Sequence, residues 1–182
     1  FPTRRSSDLK IWKIIEDDQP DDIGVTAKEY DYAGWQYQSG MGVGIPNHAL
    51  AIKCYERSAS MGYYKAMMSL AEIYHKDGNM DEYYKWLLEA ALVGEIPKAF
   101  YELGELYFKG EYVNQDYEKA YKYFEIASEN GAEGAKYYIA LYADKGLIEP
   151  RDEKKAIVYY IGGAKEYDTR CWERLDELHV EY

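Results

Sequence analysis

The sequence has few of the features that mark disulfide-rich, nucleic-acid-binding or membrane-spanning proteins. Only two of its 182 residues are cysteines, Cys54 and Cys171, and neither belongs to a Cys-x-x-Cys pair, which argues against a disulfide framework. Its 22 basic residues are outnumbered by 33 acidic ones, for a formal net charge of −11. Because phosphate binding needs a basic face, this balance argues against nucleic acid and anionic membranes as partners. No apolar run approaches the roughly 20 residues that span a bilayer.

The rest of the composition is typical of a packed, helical chain. Hydrophobic residues make up 47% of the sequence, enough for one sizeable core or one repeat array. Tyrosine is abundant, with 22 residues against 5 prolines, which favours packed helices over disorder. The two unpaired thiols favour a reducing, cytoplasmic location.

The N-terminal residues need a separate explanation. Phe1–Leu9 resemble the translation of a sequencing-library adapter, and the chain does not begin with Met, so we exclude residues 1–9 from fold prediction as an artefact. Residues 10–25 predict a short amphipathic helix followed by an acidic linker around Pro20. Because we expect the natural N-terminus to be missing, a signal peptide or an upstream domain stays open.

A helix-stop signal recurs along the chain. Its copies end at Gly62, Gly94, Gly131 and, in a degenerate form, Tyr167. A residue with good N-cap chemistry stands at a constant distance before each stop: Asn47, Asn79, Asp116 and Asp152. A glycine at the far end suits the left-handed residue that terminates a helix. Each copy therefore predicts one helix, which we call the second helix of its repeat.

A first helix is predicted after each stop from a pattern of small and large residues. The pattern is a small residue, three spacers, an aliphatic residue, a small residue, two spacers and often tyrosine. Its copies contain Ala33, Gly34 and Tyr37; Ala66, Leu70, Ala71 and Tyr74; Ala99, Leu103, Gly104 and Tyr107; Ala135, Ile139 and Ala140; and Cys171 and Leu175. Offsets of three and four place these residues on one stripe, where the small ones let a neighbouring helix approach closely.

Together these signals predict an all-α fold of repeated helical hairpins. A hairpin of this length cannot bury its apolar face alone, so stacked copies must share a core. The predicted repeats span about 26–62, 63–94, 95–131 and 132–167, followed by a capping helix at 168–182. We expect an α-α superhelix, or solenoid, of about four hairpins plus this C-terminal cap.

The repeat resembles the Sel-like repeat, a relative of the tetratricopeptide repeat. The copy that carries almost the whole pattern contains Leu103, Gly104, Tyr107, Gly110, Val113, Asp116, Lys119, Ala120, Tyr123, Phe124, Ala127, Ser128, Gly131 and Ala135. The resemblance implies a superhelix that serves as a protein-interaction adaptor. A cysteine-rich branch of the family has been linked to β-lactamase activity, but the cysteine pair that staples each of its repeats is absent here.

The sequence has only weak signals for catalysis, metal binding or phosphate binding. The three histidines, His48, His75 and His179, lie in different repeat units without metal-ligand spacing. No Gly-x-Ser-x-Gly motif occurs, and the Gly-rich loops lack the Lys-Ser/Thr pair of a phosphate-binding loop. We therefore predict no catalytic residue, no cofactor and no metal.

A second stripe on each first helix is left free by the core pattern. By similarity to tetratricopeptide arrays, we expect this stripe to face a concave groove that binds a protein or peptide. The predicted partner-binding residues are Asp31, Trp35, Gln38, Met68, Glu72, His75, Tyr101, Glu105, Phe108, Tyr137, Leu141 and Asp144. Aromatic and acidic side chains suit a partner segment with basic side chains. The alternative is that these residues pack between adjacent first helices or are merely solvated.

Three hypotheses for the function follow. The leading one is a non-enzymatic scaffold or adaptor. The second is the interaction segment of a larger regulatory protein whose effector domain has been lost from this sequence. The third is a β-lactamase-type hydrolase, which would need paired cysteines and a serine with a lysine or histidine partner, and neither is evident.

Overall fold

The structure, a computed structural model, describes residues 24–41 and 44–181. Within these ranges the secondary structure consists of nine α-helices without strands, which confirms the predicted all-α fold. The helices are α1 Ala27–Ser39, α2 His48–Ser60, α3 Tyr64–Lys76, α4 Met80–Leu92, α5 Pro97–Lys109, α6 Tyr117–Glu129, α7 Ala135–Lys145, α8 Glu153–Lys165 and α9 Thr169–Glu177. The predictions for the adapter-like residues 1–9 and for the N-terminal helix and most of its linker lie outside the described residues.

The helices pack as successive antiparallel-hairpin pairs within two compact units, Phe1–Gly94 and Glu95–Tyr182. In the first unit α1 packs on α2 and α3 on α4, and α2 contacts α3 between the two pairs. In the second unit α5 packs on α6 and α7 on α8; α6 contacts α7, and α9 packs against α8. Each unit therefore repeats the same helical pair, as the recurring sequence signals predict.

All four predicted N-caps are confirmed. The side chains of Asn47, Asn79, Asp116 and Asp152 each accept a hydrogen bond from the backbone N–H three residues further on. The distances run from 2.9 Å at Asp116 and Asp152 to 3.3 Å at Asn79. Each bond satisfies a backbone donor that the first turn of a helix leaves unpaired.

The predicted stops are confirmed at three places and shifted by one residue at the fourth. Gly62 and Gly131 are left-handed, with φ of 82° and 79°, and Tyr167 adopts the same conformation at 66°. After α4 the left-handed residue is Glu95, with φ of 51°, so the prediction of Gly94 was wrong. Val93 stays right-handed there, and its N–H still bonds to the Glu89 carbonyl, so the helical turn runs one residue further.

The small residues of the first helices lie where paired helices come closest. A Cβ on Gly34 would lie 2.7 Å from Cε1 of Tyr55, and a Cβ on Gly104 would lie 2.7 Å from Cε1 of Phe124. The aromatic ring of the second helix fills the space that the missing side chain leaves. The aliphatic residues of the core pattern, Leu70 and Leu103, are fully buried, as predicted.

We predict that Gly104→Ala lowers the free energy of unfolding by about 2 kcal/mol, because the new methyl group overlaps the buried Phe124 ring. The matched control is Gly162→Ala in α8, whose Cβ would meet only the flexible side chain of Lys136, at 3.3 Å. This control should leave stability unchanged or raise it by up to about 1 kcal/mol, from helix propensity. Urea unfolding followed by circular dichroism measures both, and equal effects of the two substitutions would contradict the packing argument.

Candidate partner-binding surface

The predicted residues Asp31, Trp35, Gln38, Met68, Glu72 and His75 form the first-unit stripe, on α1 and α3. Four of them are exposed, namely Trp35, Gln38, Glu72 and His75, whereas Asp31 and Met68 are half-buried. The Trp35 indole stacks on Tyr32, with ring centroids 5.8 Å apart. This stripe therefore combines an open aromatic surface with acidic and polar side chains.

Tyr55 connects the two helices of the first-unit stripe, although the sequence patterns did not single it out. Its ring is buried against Gly34, and its hydroxyl donates a hydrogen bond of 2.9 Å to Oε1 of Gln38. Burial is the main reason that the pKa of Tyr55 is raised to about 12; the Asp31 and Glu72 carboxylates add to the shift. Both carboxylates of the first-unit stripe thus raise the pKa of the same hydroxyl.

Asp31 lies beside a cation of the next first helix. Burial raises the pKa of its carboxyl above the usual value, and the positive charge of Lys65 opposes that shift. Lys65 itself is exposed at the start of α3. Part of the negative charge of the first-unit stripe is therefore already balanced within the chain.

The residues predicted on α5 and α7 form the second-unit stripe: Tyr101, Glu105, Phe108, Tyr137, Leu141 and Asp144. None of them is exposed; five are half-buried and Asp144 is buried. Phe108 packs edge-on against Tyr138, with ring centroids 5.2 Å apart, and the Tyr138 hydroxyl donates a 2.7 Å hydrogen bond to Glu105. These contacts match the alternative that stripe residues pack between neighbouring first helices.

Arg170, at the start of α9, lies on the second-unit stripe. Its guanidinium carbon is 4.3 Å from the ring centroid of Tyr137, and its Nε and Nη2 atoms donate to the Asp168 carboxylate at 3.0 and 2.7 Å. A hydrogen bond to Asp168 is the main cause of its raised pKa, and a second one to Tyr101 adds to it. No sequence signal pointed to this residue, because it lies on the helix that we predicted as a cap.

Asp144, a predicted stripe residue, is buried in the second unit. Its side chain is 1% exposed and accepts hydrogen bonds from Nε of Arg174 at 2.9 Å and from Nη2 of Arg151 at 3.4 Å; Nη2 of Arg174 lies 2.7 Å away. The Tyr160 hydroxyl lies 3.5 Å from the same carboxylate. Asp144 therefore ties α7 to α8 and α9, and its carboxylate is shielded from solvent.

The described part of the chain shows little that could support catalysis or metal binding. His48 contacts Asp77 at 2.7 Å on the surface, and the His75 ring lies 4.6 Å from Tyr83. Across residues 24–41 and 44–181 no group of three or more His, Cys, Asp or Glu side chains is arranged to hold a metal ion. In the same ranges no helix combines the length and apolar character required to cross a bilayer.

These features define a helical-repeat protein with side chains displayed along its first helices. The Sel1 repeat model matches residues 29–63, 97–131 and 134–165, more than half of the chain, so the protein belongs to the Sel1 repeat family. Its fold is generally that of a non-catalytic scaffold for protein–protein interaction. The family model leaves out α3 and α4, yet these helices pack as a pair like the others.

The solved structures that share the fold include the following two. A Sel1 repeat protein from Oxalobacter formigenes has a TM-score of 0.79 and 26% identity, over 97% of this chain and 78% of that one. A protective antigen of uropathogenic Escherichia coli strains, which displays an SLR fold, has a TM-score of 0.75 and 22% identity, over 91% of this chain but only 35% of that one. None of the curated proteins matches this chain.

We predict that Asp144→Asn lowers the free energy of unfolding by about 3 kcal/mol, because it leaves the Arg174 guanidinium beside a neutral group in a mostly buried network. The matched control is Glu153→Gln, which removes an exposed carboxylate 3.2 Å from Arg151 and should change stability little. Thermal and urea unfolding measure both variants. A stability loss at Glu153 as large as that at Asp144 would contradict the role of the buried network.

Proposed function

We propose that this protein is an interaction scaffold that binds a segment of another protein, with basic side chains, along the stripes of its first helices. The observation that carries the proposal is the first-unit stripe: Trp35 and Gln38 are exposed and three residues apart on α1, and the exposed Glu72 of α3 acts on the Tyr55 hydroxyl that bonds to Gln38. Aromatic side chains provide a large contact area with little loss of entropy, and carboxylates attract lysine and arginine.

The charge of the chain supports a basic partner. A net charge of −11 accelerates encounter with a positively charged segment and disfavours acidic ones. Helical-repeat arrays bind extended partners because their repeated faces form a continuous surface. The two buried thiols, Cys54 and Cys171, fit a reducing compartment such as the cytoplasm.

Site-specific photocrosslinking tests the proposal. A photoreactive phenylalanine analogue replaces Trp35 or Tyr137 on the stripes, and Lys53 or Lys122 on exposed second-helix surfaces serves as the control position. We expect a stripe position to crosslink one recurrent protein, through a segment rich in lysine or arginine, more strongly than the control positions do. Mass spectrometry identifies the crosslinked peptide. Equal yields from Lys53 and Lys122 would contradict binding along the first helices.

Salt dependence is a second expected property. If the stripe carboxylates hold basic side chains at an exposed surface, raising the salt concentration from about 0.05 to 0.5 M should weaken binding, because the Debye length falls. Titration calorimetry with the crosslinked segment, made as a synthetic peptide, measures this effect. An affinity that is unchanged or higher in high salt would point to an apolar contact instead.

A further inference from the structure

Three tyrosine rings and one carboxylate surround the side chain of Arg170 in the second unit. The guanidinium carbon lies 4.3 Å from the ring centroid of Tyr137 and 5.5 Å from that of Tyr138. The Nε and Nη2 atoms of the guanidinium donate to the Asp168 carboxylate at 3.0 and 2.7 Å, and Tyr101 forms a further hydrogen bond with it. We call Tyr101, Tyr137, Tyr138 and Asp168 the guanidinium site.

The guanidinium site is held in place by contacts that do not involve the Arg170 guanidinium. The ring centroid of Tyr138 lies 5.4 Å from that of Tyr137 and 4.2 Å from that of the buried Phe124, on which Tyr138 stacks. The Asp168 carboxylate caps α9 by accepting the backbone N–H of Arg170 at 3.1 Å. Because the core and the helix cap position these groups, we expect the site to persist when the Arg170 side chain is absent.

The backbone of Gly134 borders the guanidinium site. Its carbonyl accepts from Nη2 of Arg170 at 3.5 Å. A Cβ on Gly134 would lie 2.6 Å from the same Nη2 atom and 3.4 Å from the Tyr101 hydroxyl, so the guanidinium fits only beside a glycine. Aromatic faces combined with several acceptors suit a planar guanidinium, whereas the compact, strongly hydrated ammonium of lysine matches them poorly.

Arg170 covers the guanidinium site with a side chain that is 38% exposed. The residue is the second of α9, and this helix is anchored by Cys171 and Leu175, which are fully buried. The cap of the helix uses the backbone N–H of Arg170 and not its side chain. Rotation about the side-chain torsions therefore vacates the site without unfolding α9.

We propose that the guanidinium site is an arginine-binding site of the second-unit stripe, which Arg170 keeps closed until an arginine of the bound protein segment takes its place. This inference rests on the function proposed above and adds a preferred side chain and a means of regulation. Exchange of one guanidinium for another keeps Asp168 neutralised and the rings covered. The binding segment must therefore supply only the contacts that offset the high effective concentration of a side chain belonging to the same chain.

Chemical rescue tests the chemistry of the site. We expect Arg170→Ala to lower the melting temperature, and ethylguanidinium to restore part of the loss by occupying the vacated site. Ethylammonium at the same concentration should restore none, and neither should ethylguanidinium when Tyr137→Ala is combined with Arg170→Ala. Equal effects of the two cations on Arg170→Ala would contradict a site for a guanidinium.

Peptide binding tests the displacement. The probe is a labelled Gly-Ser peptide with spaced arginines, titrated with the full chain by fluorescence anisotropy. We expect Arg170→Ala to strengthen binding about fivefold or more, because the site is then open, and an added Tyr137→Ala to remove that gain. The matched control is Lys154→Ala on α8, which removes an exposed positive charge in the same unit and should stay within about twofold.

A lysine version of the peptide tests the selectivity. It should gain no more from Arg170→Ala than from Lys154→Ala, since both variants remove one positive charge. If Arg170→Ala does not fold, as judged by circular dichroism, Arg170→Gln carries the same comparison, because it keeps part of the aliphatic stem.

The outcomes are distinguishable. An unchanged affinity for the arginine peptide would make Arg170 a structural residue and overturn the inference, whereas crosslinking at Trp35 decides the proposed function separately. Equal gains for the lysine peptide would reduce the effect to charge and also overturn it. Dimerisation of Arg170→Ala in analytical ultracentrifugation would make a second copy of this chain the occupant, with the same consequence.

Discussion

The structure depends on the close approach of two helices at a residue that has no side chain. Gly34 and Gly104 bring their helices so near to the facing ones that a single added carbon would overlap Tyr55 or Phe124. The aromatic ring is in turn buried against backbone, as expected in a close-packed protein interior. Because a helix pair covers only one side of each of its helices, the remaining apolar surface of a pair can be covered only by the next pair.

The same ring also affects the stripe, because it contacts stripe residues in both units: Gln38 in the first, and Tyr101 and Phe108 in the second. In the first unit the ring carries the Tyr55 hydroxyl, which bonds to Gln38 and lies near two carboxylates. In the second unit Phe124 has no hydroxyl and stacks flat on Tyr138, with ring centroids 4.2 Å apart and planes 4° apart. One packing position therefore yields a polar, open surface in one unit and an aromatic, closed surface in the other.

The helices, their caps and the core residues could be predicted because their signals are local. An N-cap such as Asp116 acts on its own first turn, and Leu103 repeats at a spacing that places it on the buried side. The exposure of the stripe residues could not be predicted in this way. Helical periodicity shows which side of its own helix a residue occupies, but Arg170 and Arg174 reach across from a later helix. Asp144 is a charged residue that is nevertheless buried, because the guanidinium of Arg174, which is distant in the sequence but adjacent in the fold, compensates its charge.

Repeats that share one sequence pattern can still have different surfaces. The position directly before the small residue of the first helix illustrates this. That position holds Lys65 in α3, Lys98 in α5, Gly134 in α7 and Arg170 in α9. Lys98 pairs along its own helix with Glu102, and Lys65 stays exposed, whereas the longer, planar Arg170 lies on aromatic rings. Because an ammonium prefers water and a guanidinium tolerates stacking, the residue at this position adds to the covering of the neighbouring stripe in α9 but not in α3. A repeat array can therefore keep one core while residues at the same repeat position, such as Lys65 and Arg170, give its surfaces different coverage.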